Sequence, residues 1–110
     1  MGVVQTSQKD LIDRYFQLAP LPDTGAYLAQ FAEDASVEDE GHHHHGMDAI
    51  RAWRSQVPGV SYAVHGVQSD AEGHLARTEI SGDFPGSPVK LGFRFTFTDD
   101  GRVQTLAIRP

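Results

Sequence analysis

Asp39 is the residue of this chain whose type and position most directly suggest chemistry. It lies near the end of the segment Phe31–Glu40, two residues after the apolar Val37. If this segment is a β-strand, residues two apart share a face, so Asp39 faces the core with Val37. A buried carboxylate must be paired or functionally poised, because burying it alone is costly. We therefore expect Asp39 either to transfer protons in a pocket or to be solvated or paired with Arg51 or Arg54.

Four consecutive histidines, His42–His45, stand between Gly41 and Gly46. Zinc sites need three or four converging ligands, whereas adjacent residues of an extended segment point to opposite sides. At most two of the four could bind one ion, so a site would need Asp39, Glu40 or another chain. We predict no metal and no cofactor, and we interpret the run as a solvated hairpin turn from which His45 could reach a ligand.

Length, charge and cysteine content limit the possible functions. The chain has 110 residues, typical of one domain covering residues 1–110, and its net charge of −6 argues against nucleic acid or an anionic membrane as partner. It has no cysteine, which excludes disulfides and thiol nucleophiles. The N-terminal residues lack an apolar signal core, and no segment reaches membrane-spanning length. We therefore expect a cytoplasmic protein.

Hydrophobic periodicity predicts helices first and strands afterwards. Apolar residues at helical spacing predict one helix capped by Ser7, a second capped by Asp23 and a third from Gly46 to Pro58. After Pro58 the period becomes two, most clearly in Val89–Phe97. Several long antiparallel strands after helices favour an α+β domain whose helices cover one face of a curved sheet and enclose a cavity. Four aromatic residues could line that cavity or simply form core: Phe31, Trp53, Phe93 and Phe95.

Four segments of the chain resemble the nuclear transport factor 2-like superfamily, especially its ketosteroid isomerases and SnoaL-like polyketide cyclases. They are Leu11–Tyr15, Phe31–Asp39, Gly46–Trp53 and Asp100–Thr105. The resemblance covers nearly the whole chain. It implies a cone-shaped barrel, in which a strongly curved antiparallel sheet and three N-terminal helices enclose a pocket. It also implies a homodimer formed through the sheet face.

The resemblance also suggests roles for individual residues. Asp39 stands where the isomerases hold the carboxylate that moves a proton between carbons, and Tyr15 where a tyrosine donates a hydrogen bond to the enolate oxygen. A direct Tyr15–Asp39 hydrogen bond would suit this role. Two positions depart from the isomerase pattern: Phe93 replaces a second oxyanion donor, and Arg54 replaces a supporting tyrosine. One such donor is typically worth about 3 kcal/mol of barrier, so the steroid activity does not transfer directly.

These observations lead to one principal hypothesis and three alternatives. The principal hypothesis is an isomerase or cyclase acting on a small hydrophobic or polycyclic molecule, with Asp39 as proton shuttle and Tyr15 as hydrogen-bond donor. Phe31, Trp53, Phe93, Phe95 and His45 would bind the substrate. The first alternative is a non-catalytic small-molecule binding protein, which Phe93 in place of an acid favours. The others are a protein-interaction domain that uses the sheet face and a metal-dependent hydrolase.

Overall fold

Three helices form where the caps and the apolar periodicity predict them. The computed structural model describes residues 7–110, with α1 at Gln8–Leu18, α2 at Thr24–Ala29 and α3 at Met47–Gln56. The Ser7 hydroxyl accepts a hydrogen bond from the Asp10 amide at 3.1 Å, and the Asp23 carboxylate accepts one from the Gly25 amide at 2.9 Å. Both predicted caps are confirmed, and each satisfies an amide that the helix itself leaves unpaired.

The strands form a single six-stranded sheet. They are β1 (Phe31–Asp39), β2 (His42–His45), β3 (Ser61–Asp70), β4 (Gly73–Ser81), β5 (Val89–Phe97) and β6 (Val103–Arg109). The order across the sheet is β2-β1-β6-β5-β4-β3. The predicted α+β fold with a curved sheet and three helices is confirmed. The sheet is mixed rather than antiparallel, because β1 and β6 pair in parallel, and it does not close into a barrel.

The histidine run is a strand rather than the predicted turn. His42–His45 form β2 and pair antiparallel with the end of β1, so that His42 lies opposite Asp39 and His44 opposite Val37. The turn consists of Glu40 and Gly41 alone, whose φ angles are 53° and 78°. Two-residue hairpins of this kind need left-handed residues at the turn, because their twist then matches that of the flanking strands.

The hydrophobic core lies between the helices and one face of the sheet, which we call the inner face. Along β5 the buried Phe93 and Phe95 point to this face, and Lys90, Arg94 and Thr96 point away from it. The ring of Tyr15 on α1 packs against Phe93 and Phe95, with centroids 6.1 Å and 5.1 Å away. The strand alternation predicted for this segment is therefore confirmed.

No helix within residues 7–110 is long and apolar enough to cross a membrane. The expectation that the N-terminal residues form no apolar signal core stays a prediction, because residues 1–6 lie outside the part that the structure describes.

Candidate active site

A cavity of about 290 Å³ lies between the inner face of the sheet, α1 and α3, at the end of β1. Its walls are mostly apolar and carry a few polar groups, which is the usual composition of a small-molecule site. Residues that line it include Tyr15, Asp39, Trp53, Arg54, Tyr62 and Phe93. The opposite, outer face of the sheet has a wider depression of about 690 Å³, whose lining includes His65, Arg77, Lys90 and Arg94. That depression contains neither Asp39 nor Tyr15, so the inner cavity is the candidate active site.

Asp39 lies at the end of β1, half-buried and on the same face as the fully buried Val37. The indole Nε1–H of Trp53 donates a hydrogen bond to Oδ2 of Asp39 at 3.0 Å. Within residues 7–110, Oδ1 has no hydrogen-bond partner. The described structure thus holds the carboxylate through one oxygen, Oδ2, and leaves Oδ1 unpaired.

Neither arginine considered as a partner for Asp39 pairs with it. Arg51 instead contacts Asp48, one helical turn earlier, with Nη1 and Oδ1 3.1 Å apart. Arg54 donates from Nη2 to the backbone oxygen of Ala19, at the end of α1. The ion-pair interpretation of Asp39 is therefore wrong, because both arginines have other partners.

Tyr15 forms a buried hydroxyl pair with Tyr27 of α2. The two hydroxyl oxygens are 2.7 Å apart, and each residue is 1 % exposed. Burial raises the pKa of Tyr15 well above its usual value, with a further contribution from Tyr27. Burial also raises the pKa of Tyr27, although the nearby Arg54 opposes this shift. Both hydroxyls therefore stay protonated, and one of the two protons is left over for a ligand after the mutual hydrogen bond.

The possible Tyr15–Asp39 hydrogen bond does not form. Tyr15 is bonded to Tyr27 and Asp39 to Trp53, so the two groups belong to separate hydrogen-bonded pairs. Both residues nevertheless line the same cavity.

Arg54 contributes a cation to the cavity lining. Its guanidinium carbon lies 4.1 Å from the centre of the Tyr27 ring, a cation–π arrangement. Burial by itself lowers the pKa of Arg54, but Tyr27, Tyr15 and Tyr62 outweigh this and raise it above its usual value. Arg54 is therefore a permanent positive charge beside the tyrosine pair.

The four predicted substrate-binding aromatic residues fall into two groups. Trp53 and Phe93 line the cavity. Phe31 and Phe95 are buried in the core behind it, because Phe31 lies at the opposite end of β1 from Asp39 and the Tyr15 ring covers Phe95.

His45 is exposed and its Nδ1 lies 2.7 Å from the Ser36 hydroxyl. Strand alternation puts His45 on the face opposite Asp39, so the structure does not bring it to the cavity.

The remaining histidines of β2 divide between the two faces. The His44 ring packs near Trp53, with centroids 6.0 Å apart, whereas Nε2 of His43 lies 3.9 Å from Glu38 on the other face. Within residues 7–110, no three His, Cys, Asp or Glu side chains are grouped so that they could hold a metal ion.

Tyr27 is a site residue whose place the sequence did not reveal, and Arg54 is one whose partners it did not reveal. The helical spacing of Tyr27 only indicated a core-facing position, and the resemblance put Arg54 where the isomerases have a supporting tyrosine. Their contact depends on the packing of α2 against α3, which no local pattern encodes.

Comparison with known sequences identifies a family that spans most of the chain. A sequence profile of the SnoaL-like domain matches residues 12–105. No curated protein shows a significant match.

Two solved structures illustrate the similarity. A Sinorhizobium meliloti protein proposed to be a polyketide cyclase is 37 % identical, with a TM-score of 0.80 over 94 % of this chain and 100 % of that one. An NTF2-like protein of unknown function from Cytophaga hutchinsonii is 13 % identical, with a TM-score of 0.79 over 97 % of this chain and 92 % of that one. The second likeness concerns the fold alone.

Proposed function

We propose that this chain, which belongs to the SnoaL-like domain family of the NTF2-like superfamily, is an isomerase or cyclase that moves a proton on a small hydrophobic ketone. The observation that carries this proposal is that Asp39 and Tyr15, two groups suited to proton transfer on a ketone, line one cavity. Among residues 7–110, one carboxylate oxygen of Asp39 has no partner, and Tyr15 belongs to a buried hydroxyl pair with a proton to donate. A base and an oxyanion donor in one apolar cavity are what enolisation requires.

The proposed reaction uses each group in a definite step. Oδ1 of Asp39 removes a proton from the carbon next to the substrate carbonyl, and the electrons of that C–H bond move onto the oxygen to give an enolate. Tyr15 donates a hydrogen bond to this oxygen, with Tyr27 holding the Tyr15 hydroxyl in place. Asp39 then returns the proton to another carbon, which regenerates both the carbonyl and the carboxylate. The Trp53 N–H keeps the carboxylate oriented throughout.

The size of the cavity supports a smaller substrate than a steroid. Ligand cavities in proteins commonly measure about 300–1,000 Å³. At about 290 Å³ this one lies at the lower limit, and Phe93 occupies part of its wall. We therefore propose a substrate with one or two rings.

The proposal can be tested with 3-cyclohexenone, a small β,γ-unsaturated ketone, by following the absorbance of the conjugated enone. We expect wild-type protein to accelerate its appearance and Asp39→Asn to lower the rate by about 10²–10⁴-fold, because the amide cannot accept the proton. Asp34→Asn is the matched control, since Asp34 is an exposed carboxylate on the same strand that accepts a hydrogen bond from Gln104. A wild-type rate equal to that of buffer, or an Asp39→Asn rate equal to that of Asp34→Asn, would refute the proposal.

A non-catalytic binding protein is the second candidate. The observation in its favour is Phe93, a buried apolar residue in the cavity wall where the isomerase pattern has a second acidic donor. In that case cyclohexenone analogues would bind without turnover, and Asp39→Asn would change only their affinity. Calorimetric titration alongside the absorbance assay separates the two candidates.

We also propose that two copies associate through the outer face of the sheet. This face carries charges of both signs, with Lys90 opposite Glu79 and Arg94 beside Asp70, so the interface would be held by complementary charges. Light scattering at rising salt concentration tests this, and a monomer at low salt would contradict it. The cytoplasmic location stays a prediction.

A further inference from the structure

We infer that the cavity binds molecules that carry an anionic group, and that Arg54 recognises that group. This inference rests on the proposed function in that it concerns the same cavity, but it assigns the chemical class of the ligand. It makes the substrate an organic acid with a small hydrophobic body, such as a cyclic or aromatic carboxylate, rather than a neutral ketone alone.

Among the described residues 7–110, the contacts of the Arg54 guanidinium are all with neutral groups. Nη2 donates to the Ala19 backbone oxygen at 2.5 Å, and the Tyr27 ring lies beneath the guanidinium at 4.1 Å. The hydroxyl of Tyr62 is a third neutral neighbour. Within residues 7–110, no carboxylate oxygen lies within 4.0 Å of an Arg54 nitrogen.

An arginine in such a position lacks the anion that normally accompanies a half-buried cation. Partly buried charges in proteins are usually paired, because removing them from water is costly. Guanidinium also has five N–H donors in a planar fork that matches a carboxylate, and the Ala19 oxygen engages only one nitrogen. Arg54 lines the cavity, so a ligand anion can reach the other donors.

A purely structural role accounts for only part of this arrangement. The Ala19 contact ties α3 to the end of α1, and a neutral donor would do this equally well. The other arginine on α3, Arg51, is exposed and paired with Asp48, which is the usual arrangement of a surface arginine. The two arginines are three residues apart on one helix, which makes Arg51 a natural control for Arg54.

The cavity also separates its charges in a way that suits an acid. Asp39 is held by Trp53, and Arg54 by Ala19 and Tyr27, so the negative and positive groups are anchored to different elements. A ligand whose carboxylate binds Arg54 would present its hydrophobic body to Phe93 and Trp53. The tyrosine pair stands beside the cation, where the oxygen of a developing enolate would benefit from both.

The test compares 2-naphthoate with its neutral counterpart 2-naphthamide by isothermal titration calorimetry at neutral pH. We expect wild-type protein to bind the carboxylate at least about tenfold more tightly than the amide, in line with a desolvated charge-assisted bond. Arg54→Met should abolish this preference while amide binding stays within about threefold of wild type. Arg54→Gln, which keeps a donor for Ala19, should lose the preference as well, and Arg51→Met should retain it.

Several results would overturn the inference. They are equal affinity of wild-type protein for the two ligands, no measurable binding of either ligand, or a carboxylate preference that persists in both Arg54→Met and Arg54→Gln. The proposed reaction is judged separately by the enone assay. The two assays can give different answers. If the carboxylate preference depends on Arg54 but no turnover depends on Asp39, the inference is retained and the enzymatic function is refuted.

Discussion

On the inner face of the sheet a few polar side chains stand within an apolar cavity, whereas on the outer face charged side chains lie side by side in solvent. The inner set comprises Asp39, Tyr15, Tyr27 and Arg54. The outer set includes two ion pairs, Arg109–Glu38 at 2.6 Å and Arg94–Asp70 at 3.0 Å, and a hydrogen bond between His65 and Glu79 at 3.1 Å. Both faces belong to one sheet, so the difference comes from the helices, which cover the inner face and carry Tyr15, Tyr27 and Arg54.

The comparison shows that the number of polar contacts on a face says little about how much each contact contributes. Exposed ion pairs typically contribute about 0–1 kcal/mol, because water solvates the separated charges almost as well. Water cannot replace a lost partner in the same way for a polar group within an apolar wall. Each hydrogen bond of such a group therefore contributes more to stability. Each of the four inner groups named above has a particular partner that holds its orientation.

The largest contrast between the two faces is expected for adjacent residues of β5. Phe95 points inward and is fully buried against Tyr15, whereas Thr96 points outward and is partly exposed. Phe95→Ala should lower the free energy of unfolding by about 3–5 kcal/mol, because it leaves a cavity in the core. Thr96→Ala should change it by less than about 1 kcal/mol. Urea denaturation of both variants measures this, and similar losses would contradict the assignment of inner and outer faces.

A smaller contrast is expected between two hydroxyl pairs. Tyr15 and Tyr27 are paired in the core, and Thr96 and Thr105 are paired on the outer face with oxygens 2.5 Å apart. Tyr27→Phe should cost about 1–3 kcal/mol of stability, because it leaves the buried Tyr15 hydroxyl without its partner. Thr105→Val should cost less than about 1 kcal/mol, since water can replace the lost partner. Thermal unfolding of the two variants compares them, and an equal cost would mean that the tyrosine pair is accessible to water.

The smallest effect concerns the ion pair of Glu38 on the outer face. Hydrogen bonds from Arg109 hold the pKa of Glu38 below its usual value. A carboxylate with a lowered pKa stabilises the folded state above its ordinary pKa, and this contribution disappears as the pH falls through the lowered value. Glu38→Gln should therefore be slightly less stable than wild type at neutral pH, and the difference should vanish at about pH 2. Urea denaturation at both pH values measures it, and a difference independent of pH would exclude this ionic origin.

Much of the fold was predictable because local patterns encode it. Ser7 and Asp23 are residue types that cap helices, and the apolar spacing after each of them predicts a helix. The alternation of apolar and polar residues in Val89–Phe97 requires a strand with one buried and one exposed face. The direction of β6 relative to β1 was not predictable, because strands from distant parts of the chain can pair in either orientation. The histidine run was also misread, since a short polar strand at a sheet edge has no apolar alternation to reveal it.

The sequence by itself determined that Asp39 faces the core, because the alternation of a strand links it to Val37. It also placed Tyr15 on the buried side of α1, because helical spacing links it to Leu11 and Ile12. Only the tertiary structure decided which groups these two residues meet. Trp53 reaches Asp39 from α3, and Tyr27 reaches Tyr15 from α2. Such contacts depend on how separate elements pack against one another, and periodicity along the chain describes the face of each element but not its neighbour.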